Sequence, residues 1–505
     1  MTVISGQGAD RGHVVMAVPT SIERDARVRK TAISVKNLGF RVTLLWTGSG
    51  LKRRTEGEFE GVRTIGLPLL RSVAKPSRQR SGNRRRTLRQ RVGLAYCSEA
   101  AVEAGAVTIA ARQARIPVES AKGLRRARWL HQVRSRGFEA VPPEPDEASE
   151  DEIERPCRGR GRWNWRRELT WVGNLEVAFG PEMAKLEPDI LHIHDWPLLW
   201  IAANTKRLLS NAGKRVALVY DAHEYVTGQY IPSVFFHRAA ILLEKEAMEH
   251  IDAVITVSDL IAERLAEDFH LDQPPTVVLN VPALTWGQVD SPRDLRSEAG
   301  VGTDVPLVLY SGGLMQARNV GRVVEALARL PRVHLAVICV PHSGTPGALD
   351  LVEAAEELGV ADRLHLLEPV PPEEIVSFIA GATMGIHPML GGFPNHEMAM
   401  PNKIFDYFRA GLPVAVSNLP AMSRVVSEWE AGETFDPLDV ASMAAAIERV
   451  LANRDALAAG LRNPELLKKY SWERQVEELG NLYDRLDGQI RLPNRPISTP
   501  IGDMP

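Results

Sequence analysis

The sequence predicts an α/β protein built from two doubly wound domains. Short apolar runs alternate with longer stretches of helical periodicity, which is the pattern of parallel sheets covered by helices on both faces. This alternation runs through the first half of the chain and begins again at residue 306. A chain of 505 residues is too long for one ordinary core, and it suits two domains of roughly 150–250 residues each.

In the first half, the predicted helices are 26–39, which ends at Gly39, and a Glu-rich helix at 239–250. The predicted strands are HVVMAV (13–18), RVTLLW (41–46), DILHIHD (189–195), VALVYDAHE (216–224) and AVITVS (253–258).

In the second half, strands are predicted at 306–313, 334–340, 364–370, 384–389 and 413–418. Helices are predicted at 319–330, 349–358, 373–380, 402–410 and 440–452. A last amphipathic helix is expected at 468–486, after the second domain has ended.

These elements predict four parts of the chain. The first domain is expected at 1–286 and the second at 287–467, with the boundary near the polar stretch 285–294. A helix at 468–489 is expected to pack back on the first domain, and 490–505 is expected to be a flexible tail.

Residues 71–170 interrupt the first domain with blocks of charge. Residues 71–91 are strongly basic, 142–154 are acidic and proline-rich, and 158–171 are basic and rich in tryptophan. Such blocks are typical of a solvated insertion. The alternative is a surface that contacts anionic membrane or an anionic acceptor. Nucleic acid ranks third, because no nucleic-acid-binding motif accompanies the arginines.

Composition indicates a protein of a reducing compartment. The formal net charge of −2 provides no overall attraction to nucleic acid. Cys97, Cys157 and Cys339 are far apart and form no CxxC pattern, which argues against disulfides and thiolate metal sites. No apolar run approaches the roughly 20 residues that span a bilayer, and the first residues lack a secretory-signal pattern. We expect a cytoplasmic protein that is at most peripheral on the inner face of the membrane.

Two polar loops of the second half follow predicted strands, where open parallel sheets bind their ligands. In YSGGLMQARN (310–319), Gly312 and Gly313 allow the backbone to approach a ligand, and Arg318 precedes a helix whose start favours phosphate. The alternative is a glycine turn with an exposed arginine.

The second loop, MLGGFPNHEMAMPNKIFDYF (389–408), places a lysine and an acid on one helical face. Pro401 suits the first turn of a helix, and Lys403 and Asp406 are three residues apart. The lysine suits a diphosphate and the carboxylate suits ribose hydroxyls. The alternative is a surface ion pair worth about 0.2–0.5 kcal/mol.

In the first half, polar side chains follow three predicted strands. Asp25 suits the first turn of the helix after residue 18, and Arg27 suits a position facing a cleft; ordinary helix-start charges are the alternative. For the polar side chains that close the next two strands, strand-end hydrogen bonding is the leading interpretation, acceptor or donor-sugar contacts come second, and a metal site is least favoured. These side chains are His192, His194, Asp195, Asp221, His223 and Glu224.

With these segments assembled, the chain resembles the retaining GT-B glycosyltransferases of family 4, also called glycosyl transferases group 1. In the first half, the resemblance is carried by RDARVRKTAISVKNLGFRVTLL, PDILHIHD, YDAHE and HIDAVITVS followed by VVLNVP. In the second half, it is carried by YSGGLMQARNV, LGVADRLHLLEPVPPEEI, MPNKIFDYFRAGLPVAVSN, YSWERQ and LYDRL. It covers the chain except for 71–170 and the end beyond 490.

The resemblance implies two Rossmann-like domains that face each other across a cleft, with a final helix that crosses back to the first domain. It also implies an enzyme that moves a sugar, with retention of anomeric configuration, from a UDP- or GDP-linked donor to an unidentified acceptor. Relatives bind the donor mainly in the second domain and the acceptor mainly in the first. The resemblance implies no metal and no other cofactor.

Residue by residue, the resemblance assigns Arg318 and Lys403 to the donor diphosphate and the leaving nucleotide. Asp406 corresponds to the second glutamate of the family's E-x7-E motif, which binds ribose. The further donor-side candidates are Gly312, Gly313, Val370, Glu374, Asn395, Glu397 and Asn402. The acceptor or cleft candidates are Asp25, Arg27, His194, Asp195, His223 and Glu224.

Two positions depart from the family pattern. Met398 stands where the first glutamate of the E-x7-E motif is expected, with Glu397 one residue away. Either the loop is remodelled or the contact of that glutamate with the donor sugar is absent. The first loop reads PTSIERD, where many relatives have a glycine pair.

Two other functions remain as alternatives. A nucleotide-sugar epimerase of the same fold would need paired acids and a cleft without an acceptor. A non-catalytic nucleotide-sugar-binding or scaffold protein would explain the altered E-x7-E motif. A phosphorylase-like enzyme is disfavoured, because no lysine-centred pyridoxal site is visible in the sequence.

Overall fold

The structure is a computed structural model, and it describes residues 11–69, 164–285 and 291–491, except Arg24, Ser49, Tyr230 and Pro232. The basic block 71–91, the acidic block 142–154 and the tail beyond 491 lie outside the described residues. The membrane contact predicted for the basic block therefore remains a prediction.

The first domain is built on one sheet, which has eight strands within the described residues. Its order is β3–β4–β2–β1–β5–β6–β7–β8, and only the β3–β4 pair is antiparallel. Every residue of β1, β5 and β6 is buried, which explains their near-continuous apolar sequences. The strands are β1 (His13–Val18), β2 (Arg41–Trp46), β3 (Thr55–Phe59), β4 (Val62–Gly66), β5 (Ile190–His194), β6 (Ala217–Ala222), β7 (Ala253–Thr256) and β8 (Thr276–Val277).

Helices cover both faces of this sheet. The apolar side chains divide between two core clusters: one lies under the helices between residues 165 and 265, and the other lies under the first helix and the last helix of the chain. The helices of this domain are α1 (Ala26–Asn37), α2 (Trp165–Glu168), α3 (Val172–Lys185), α4 (Leu199–Asn211), α5 (Val234–Met248) and α6 (Asp259–Asp268).

The second domain contains a parallel sheet, with six strands within the described residues, in the order β11–β10–β9–β12–β13–β14. Two apolar clusters pack against its opposite faces. The strands are β9 (Leu307–Gly313), β10 (His334–Val340), β11 (Leu364–Leu367), β12 (Met384–His387), β13 (Val414–Ser417) and β14 (Gly432–Phe435).

The helices of the second half begin after residue 294. None of the described helices is both long and apolar enough to cross a membrane. They are α7 (Leu295–Ala299), α8 (Val320–Leu327), α9 (Pro346–Glu357), α10 (Ile375–Ile379), α11 (Pro394–Met398), α12 (Asn402–Arg409), α13 (Pro420–Trp429), α14 (Val440–Ala452), α15 (Arg454–Gly460), α16 (Pro464–Lys469) and α17 (Trp472–Arg491).

The predicted fold class is confirmed, and β1, β2 and β10 have the predicted bounds. The last helix was predicted to begin at 468, but α16 ends at Lys469 and α17 begins at Trp472. Tyr470 leaves helical geometry, with φ −100° and ψ 43°, and the Ser471 hydroxyl accepts from the N–H of Arg474 at 3.3 Å in the first turn of α17. The features that were not predicted include the polar β3–β4 hairpin, helices α3 and α6, and the pair formed by α13 and β14.

Helix α17 crosses from the second domain onto α1 of the first. Trp472 Nε1 donates to Ser34 Oγ at 3.0 Å. Further along the helix, Tyr483 is fully buried and its hydroxyl lies 2.7 Å from His192 Nδ1 on β5. Gln475 Oε1 accepts from the backbone N–H of Leu279, where the chain leaves the first domain. The helix therefore contacts both the first domain and the connection between the domains.

The described end of the segment 71–170 packs against the first domain. Trp165 on α2 is buried, and its indole N–H donates to Glu246. The Arg166 guanidinium lies 4.3 Å from the ring centres of both Trp165 and Trp200 and pairs with Glu246 at 3.1 Å. The basic, tryptophan-rich stretch 158–171 was considered as a free surface, but this part of it is engaged within the domain.

Candidate active site in the cleft between the domains

A cleft of about 1270 Å³ separates the two domains. Its walls follow the carboxyl ends of β1 and β6 in the first domain and of β9 and β12 in the second. The strand order reverses direction between β1 and β5 and between β9 and β12. Open α/β sheets bind ligands in the crevice beside such reversals. The topology alone therefore marks this cleft as the site.

Lys403 and Asp406 form an ion pair inside the cleft. The apolar side chains of α12 pack into the second core, and this packing presents Lys403 and Asp406 to the cleft. Lys403 Nζ lies 3.1 Å from Asp406 Oδ2, and the lysine side chain is 24% exposed against 7% for the acid. The two residues therefore form the i,i+3 ion pair of the alternative interpretation. They also line the cleft, where the predicted ligand contacts would be made.

Arg318 supplies a second positive charge to the same wall. It ends a short 3-10 turn after β9, and Asn319 closes the turn in a left-handed conformation with φ of 58°. Arg318 Nη1 donates to Met389 Sδ at 3.1 Å, and a thioether is only a weak acceptor. Among the described residues, no carboxylate pairs with Arg318 within 4.0 Å. Its charge is therefore available to an anionic ligand.

The glycine turn between β9 and Arg318 is held by two tyrosines. Tyr310 donates its hydroxyl to the carbonyl of Gly313 at 2.7 Å, and the hydroxyl of Tyr407 accepts from the backbone N–H of Ser311 at 2.9 Å. Gly312 has a φ of +154°, and a Cβ there would lie 3.0 Å from the Tyr310 hydroxyl. The turn therefore needs glycine at 312, and it lines the cleft as predicted.

Across the cleft, Arg27 is committed to the first domain. Its Nε and Nη2 donate to the two oxygens of Asp221 at 3.1 and 2.7 Å, and its Nη1 donates to the carbonyl of Val278 at 2.6 Å. Asp25 caps α1 by accepting from the N–H of Val28 at 3.1 Å. Both residues border the cleft, but these contacts agree with the interpretation as helix-start charges.

Asp221 is the centre of a buried histidine cluster. His194 Nδ1 lies 3.1 Å from Asp221 Oδ2, and His192 Nε2 lies 3.7 Å from the same oxygen. Burial alone would raise the pKa of Asp221, but the Arg27 guanidinium and His223 hold it well below the ordinary value. Burial and the neighbouring His192 lower the pKa of His194 to about 3, so this imidazole is neutral.

The cluster of His192, His194 and Asp221 has the composition of a metal site. However, Arg27 already donates to both oxygens of Asp221. A divalent cation bound there would have to displace a buried guanidinium, and like charges at that distance repel. The geometry therefore favours a structural cluster, in line with the leading interpretation of strand-end hydrogen bonding.

His223 connects the cluster to the cleft. Its Nε2 lies 3.3 Å from Asp221 Oδ2, and its Nδ1 lies 3.5 Å from Asp195 Oδ2. Burial lowers the pKa of His223, but the carboxylates of Asp195 and Asp221 outweigh it and raise the pKa to about 9. The first domain therefore presents an imidazolium to the cleft at neutral pH. Glu224 lies beside it in the cleft wall.

The remaining predicted site residues divide into two groups. Those that line the cleft are Val370, Asn395 and Asn402. Four described candidates lie outside the cleft lining: Glu374, Glu397, His194 and Asp195. For His194 the reason is its complete burial beneath His223.

Glu374 and Glu397 are held elsewhere by local contacts. Glu374 accepts from the hydroxyl of Ser291 at 3.2 Å, and its neighbour Glu373 lines the cleft instead. Glu397 Oε1 accepts from the N–H of Gly392 at 3.1 Å within its own loop. The carboxylate of Glu397 is therefore engaged within its own loop in this structure.

The altered E-x7-E position belongs to a contact between the domains. Met398 packs against the core of the first domain, and its carbonyl accepts from the hydroxyl of Ser258 at 2.6 Å. Asn395 Oδ1 on the same helix accepts from the N–H of Tyr225 at 2.7 Å. These contacts dock α11 on the first domain.

The lining residues that sequence reasoning missed include Lys30 and His387. Lys30 lies one turn after Arg27 on α1, and its Nζ donates to the carbonyl of Val281 at 2.6 Å. His387 is the last residue of β12. The position of His387 at a strand end was the signal that could have identified it.

Two family patterns match the chain. The pattern described as Glycosyltransferase Family 4 matches residues 113–281, and the pattern described as Glycosyl transferases group 1 matches 305–453. The first match begins inside the segment 71–170. The resemblance inferred from the sequence left that whole segment out, so the match extends it.

Relatives and solved structures agree with these patterns. The chain is 26% identical over 321 residues to D-inositol 3-phosphate glycosyltransferase of Geodermatophilus obscurus, which covers 60% of this chain and 68% of that protein. The fold is similar to sucrose-phosphate synthase of Thermosynechococcus elongatus, with a TM-score of 0.62 at 15% identity, covering 95% of this chain and all of the other.

A third similarity is to Anabaena HepE in complex with UDP and glucose. The TM-score is 0.58 at 11% identity, and the match covers 94% of this chain and 99% of the other. At such identities these structures show a shared fold. The chain has two facing α/β domains, and one family pattern falls on each of them. The relatives named by these comparisons are glycosyltransferases. The chain belongs to the group 1 glycosyltransferases of the GT-B fold and is an enzyme that transfers glycosyl groups.

Proposed function

We propose that the enzyme takes its sugar from a nucleotide-diphosphate sugar, UDP- or GDP-linked, that binds in the second-domain wall of the cleft. The observation that carries this proposal is that two cations, Arg318 and Lys403, lie on the same wall. Arg318 has no carboxylate partner among the described residues. Two cations beside a glycine turn suit a diphosphate. HepE, which has the same fold, was solved with UDP and glucose.

In this proposal, Arg318 and Lys403 stabilise the charge that develops on the diphosphate as the glycosidic bond breaks. The start of α12 adds the positive end of a helix dipole at the same place. Asp406 accepts hydrogen bonds from the ribose hydroxyls once the anion has drawn Lys403 away from it. Since cationic side chains and a helix end meet the charge, the proposal needs neither a metal nor another cofactor.

The acceptor enters from the first domain, where His223 and Glu224 line the opposite wall. We propose retention at the anomeric carbon and assign no protein nucleophile. The curated relative acts on D-inositol 3-phosphate by its name, which makes phosphorylated polyols the first acceptors to test here. The imidazolium of His223 suits an acceptor that carries a phosphate.

The experiment is a binding and turnover screen of the full chain. UDP, GDP and ADP are compared by thermal shift, and the matching nucleotide sugars are then tested for release of nucleoside diphosphate with and without inositol phosphates. We expect one base to stabilise the protein and its sugar conjugates to turn over. Absence of binding and turnover with every nucleotide contradicts the proposal. Proton NMR of the product tests retention, and an inverted anomeric centre contradicts that part.

A further inference from the structure

His387 lies in the cleft wall without a hydrogen-bond partner for its ring. It is the last residue of β12, next to β9 in the sheet, and it is 3% exposed. Its ring stacks on Tyr310, with 6.3 Å between the centroids and 27° between the planes. Both ring nitrogens are buried, and neither has a partner among the described residues. The role described for the cleft so far leaves this side chain unused.

Two unpaired nitrogens at a buried site are costly. Leaving a buried polar group unpaired costs free energy, and most buried polar side-chain atoms in proteins have partners. An apolar side chain at this position would not carry this cost. The imidazole is therefore best explained by a ligand group that satisfies it when the cleft is occupied.

The surroundings of His387 identify the ligand chemistry. Burial is the first cause that lowers its pKa, to about 3, followed by the charges of Arg318 and Lys403. The ring is therefore neutral at neutral pH and has one N–H donor and one acceptor nitrogen. Because the charges that act on the ring belong to cations of the same cleft lining, the group best suited to accept its hydrogen bond is an anion.

We propose that His387 binds a phosphate oxygen of the donor, donating its N–H to the diphosphate held between Arg318 and Lys403. This inference rests on the proposed nucleotide-sugar donor and adds a third ligand to its diphosphate site. Arg318 exchanges its weak contact with Met389 Sδ for the anion. A sugar hydroxyl or the base is the competing partner, and the experiment separates them.

The experiment measures affinities by titration calorimetry for UDP, GDP and the corresponding nucleosides, with wild type, His387→Leu and His387→Gln. A hydrogen bond to a charged group is worth about 1.5–3 kcal/mol, so we expect His387→Leu to weaken diphosphate binding by about tenfold or more. Nucleoside affinity should not change. His387→Gln should recover part of the loss, since its amide also donates. His334→Leu is the matched control, because His334 bonds His365 outside the cleft.

The outcomes separate the two proposals. Unchanged diphosphate affinity in folded His387→Leu overturns the role of His387 alone. An equal loss for nucleoside and diphosphate overturns it too, because the contact would then be to the base or to the pocket shape. A wild type that binds no diphosphate overturns the proposed function as well. If the leucine variant fails to fold, imidazole ¹⁵N NMR of the wild type decides: the His387 signals must shift with the diphosphate and not with the nucleoside.

Discussion

At the scale of single residues, an anion that binds in the cleft must compete with the pair formed by Lys403 and Asp406. An i,i+3 pair on a helix is worth about 0.2–0.5 kcal/mol. Of its two side chains, Asp406 is 7% exposed and Lys403 is 24% exposed. A diphosphate carries more charge and can bring a second contact to Arg318. The pair therefore orients Lys403, and breaking it takes little of the free energy of ligand binding.

We predict that Lys403→Ala lowers kcat/KM by on the order of 10²–10³, because an electrostatic contact to the leaving group is lost. The fold should be intact, since the lysine side chain makes no core contact. Steady-state kinetics with the active nucleotide sugar measure kcat/KM, and circular dichroism checks the fold. Lys469→Ala is the control: that lysine forms an exposed pair with Glu428 outside the cleft. Equal activity of Lys403→Ala and wild type removes Lys403 from the site.

Sequence reasoning succeeds for site residues that strand ends and turn chemistry position. Gly312, Arg318 and Lys403 follow strands or open a helix, and all three line the cleft. It fails where one step along the chain decides the direction of a side chain. Glu373 and Glu374 lie in the turn before α10, where adjacent side chains take different directions: Glu373 lines the cleft, while Glu374 accepts from the hydroxyl of Ser291. Sequence spacing cannot resolve that step.

At the scale of secondary-structure elements, the contact between the turn at 226–228 and α11 holds the two domains together. A Cβ on Gly228 would lie 2.6 Å from the Tyr225 ring and 2.7 Å from both the backbone N of Asn395 and Pro394 Cβ. Two of these atoms belong to the other domain. At Gly228 the two domains therefore approach each other so closely that a residue with a Cβ would clash there.

We predict that Gly228→Ala forces this contact apart and lowers kcat/KM by about tenfold or more, since overpacking costs about 1–3 kcal/mol. Small-angle X-ray scattering should show a larger radius of gyration while circular dichroism stays unchanged. Gly321→Ala is the matched control, because a Cβ there meets nothing within 4 Å. Identical scattering and activity for the two variants would refute the role of this contact.

Helix α17 provides a second test at this scale. The Tyr483 hydroxyl lies 2.7 Å from His192 Nδ1 in a fully buried contact. Tyr483→Phe leaves that nitrogen unpaired, so we expect a loss of about 1–3 kcal/mol in the free energy of unfolding. Urea denaturation measures it. Phe40→Leu, which alters packing against the same ring without touching the hydrogen bond, serves as the comparison, and an unchanged Tyr483→Phe midpoint contradicts the account.

Elements with strong apolar patterns could be predicted from the sequence, and those formed by tertiary context could not. Strand β1 is apolar from residue 14 to residue 18 and was assigned correctly. Strand β3 reads TEGEF and is mostly exposed, so it has no apolar alternation to recognise. It forms because β4 pairs with it at the edge of the sheet. The start of α17 was misplaced because the backbone leaves helical geometry at Tyr470 and Ser471 caps a new helix.

At the scale of the whole molecule, the stability of the first domain should depend on pH through Glu244. This residue on α5 is fully buried, and its Oε1 accepts from the Tyr220 hydroxyl at 2.7 Å. Burial raises the pKa of Glu244 from 4.5 to about 8. The folded state therefore holds this proton more tightly than the unfolded chain does. Its contribution to stability is complete below about pH 4.5 and is lost as the pH rises toward 8.

We predict that Glu244→Gln removes this pH dependence, because the amide cannot ionise and still accepts from Tyr220. The two proteins should unfold with similar free energies near pH 5. The variant should be more stable at pH 8 by roughly 2–4 kcal/mol, since the slope is at most about 1.4 kcal/mol per pH unit. Urea denaturation at several pH values tests this. A difference that does not grow between pH 5 and pH 8 contradicts the assignment.

The central claim is that the second-domain wall of the cleft, from the glycine turn to α12, binds the nucleotide part of the donor. Hydrogen–deuterium exchange of the wild-type chain, with and without saturating UDP or GDP, tests it most directly. We expect slower exchange at 310–319 and 400–409 with one of the two nucleotides. Unchanged exchange in both segments with either nucleotide, or protection confined to the separate groove around Arg424 and Arg485, would contradict it.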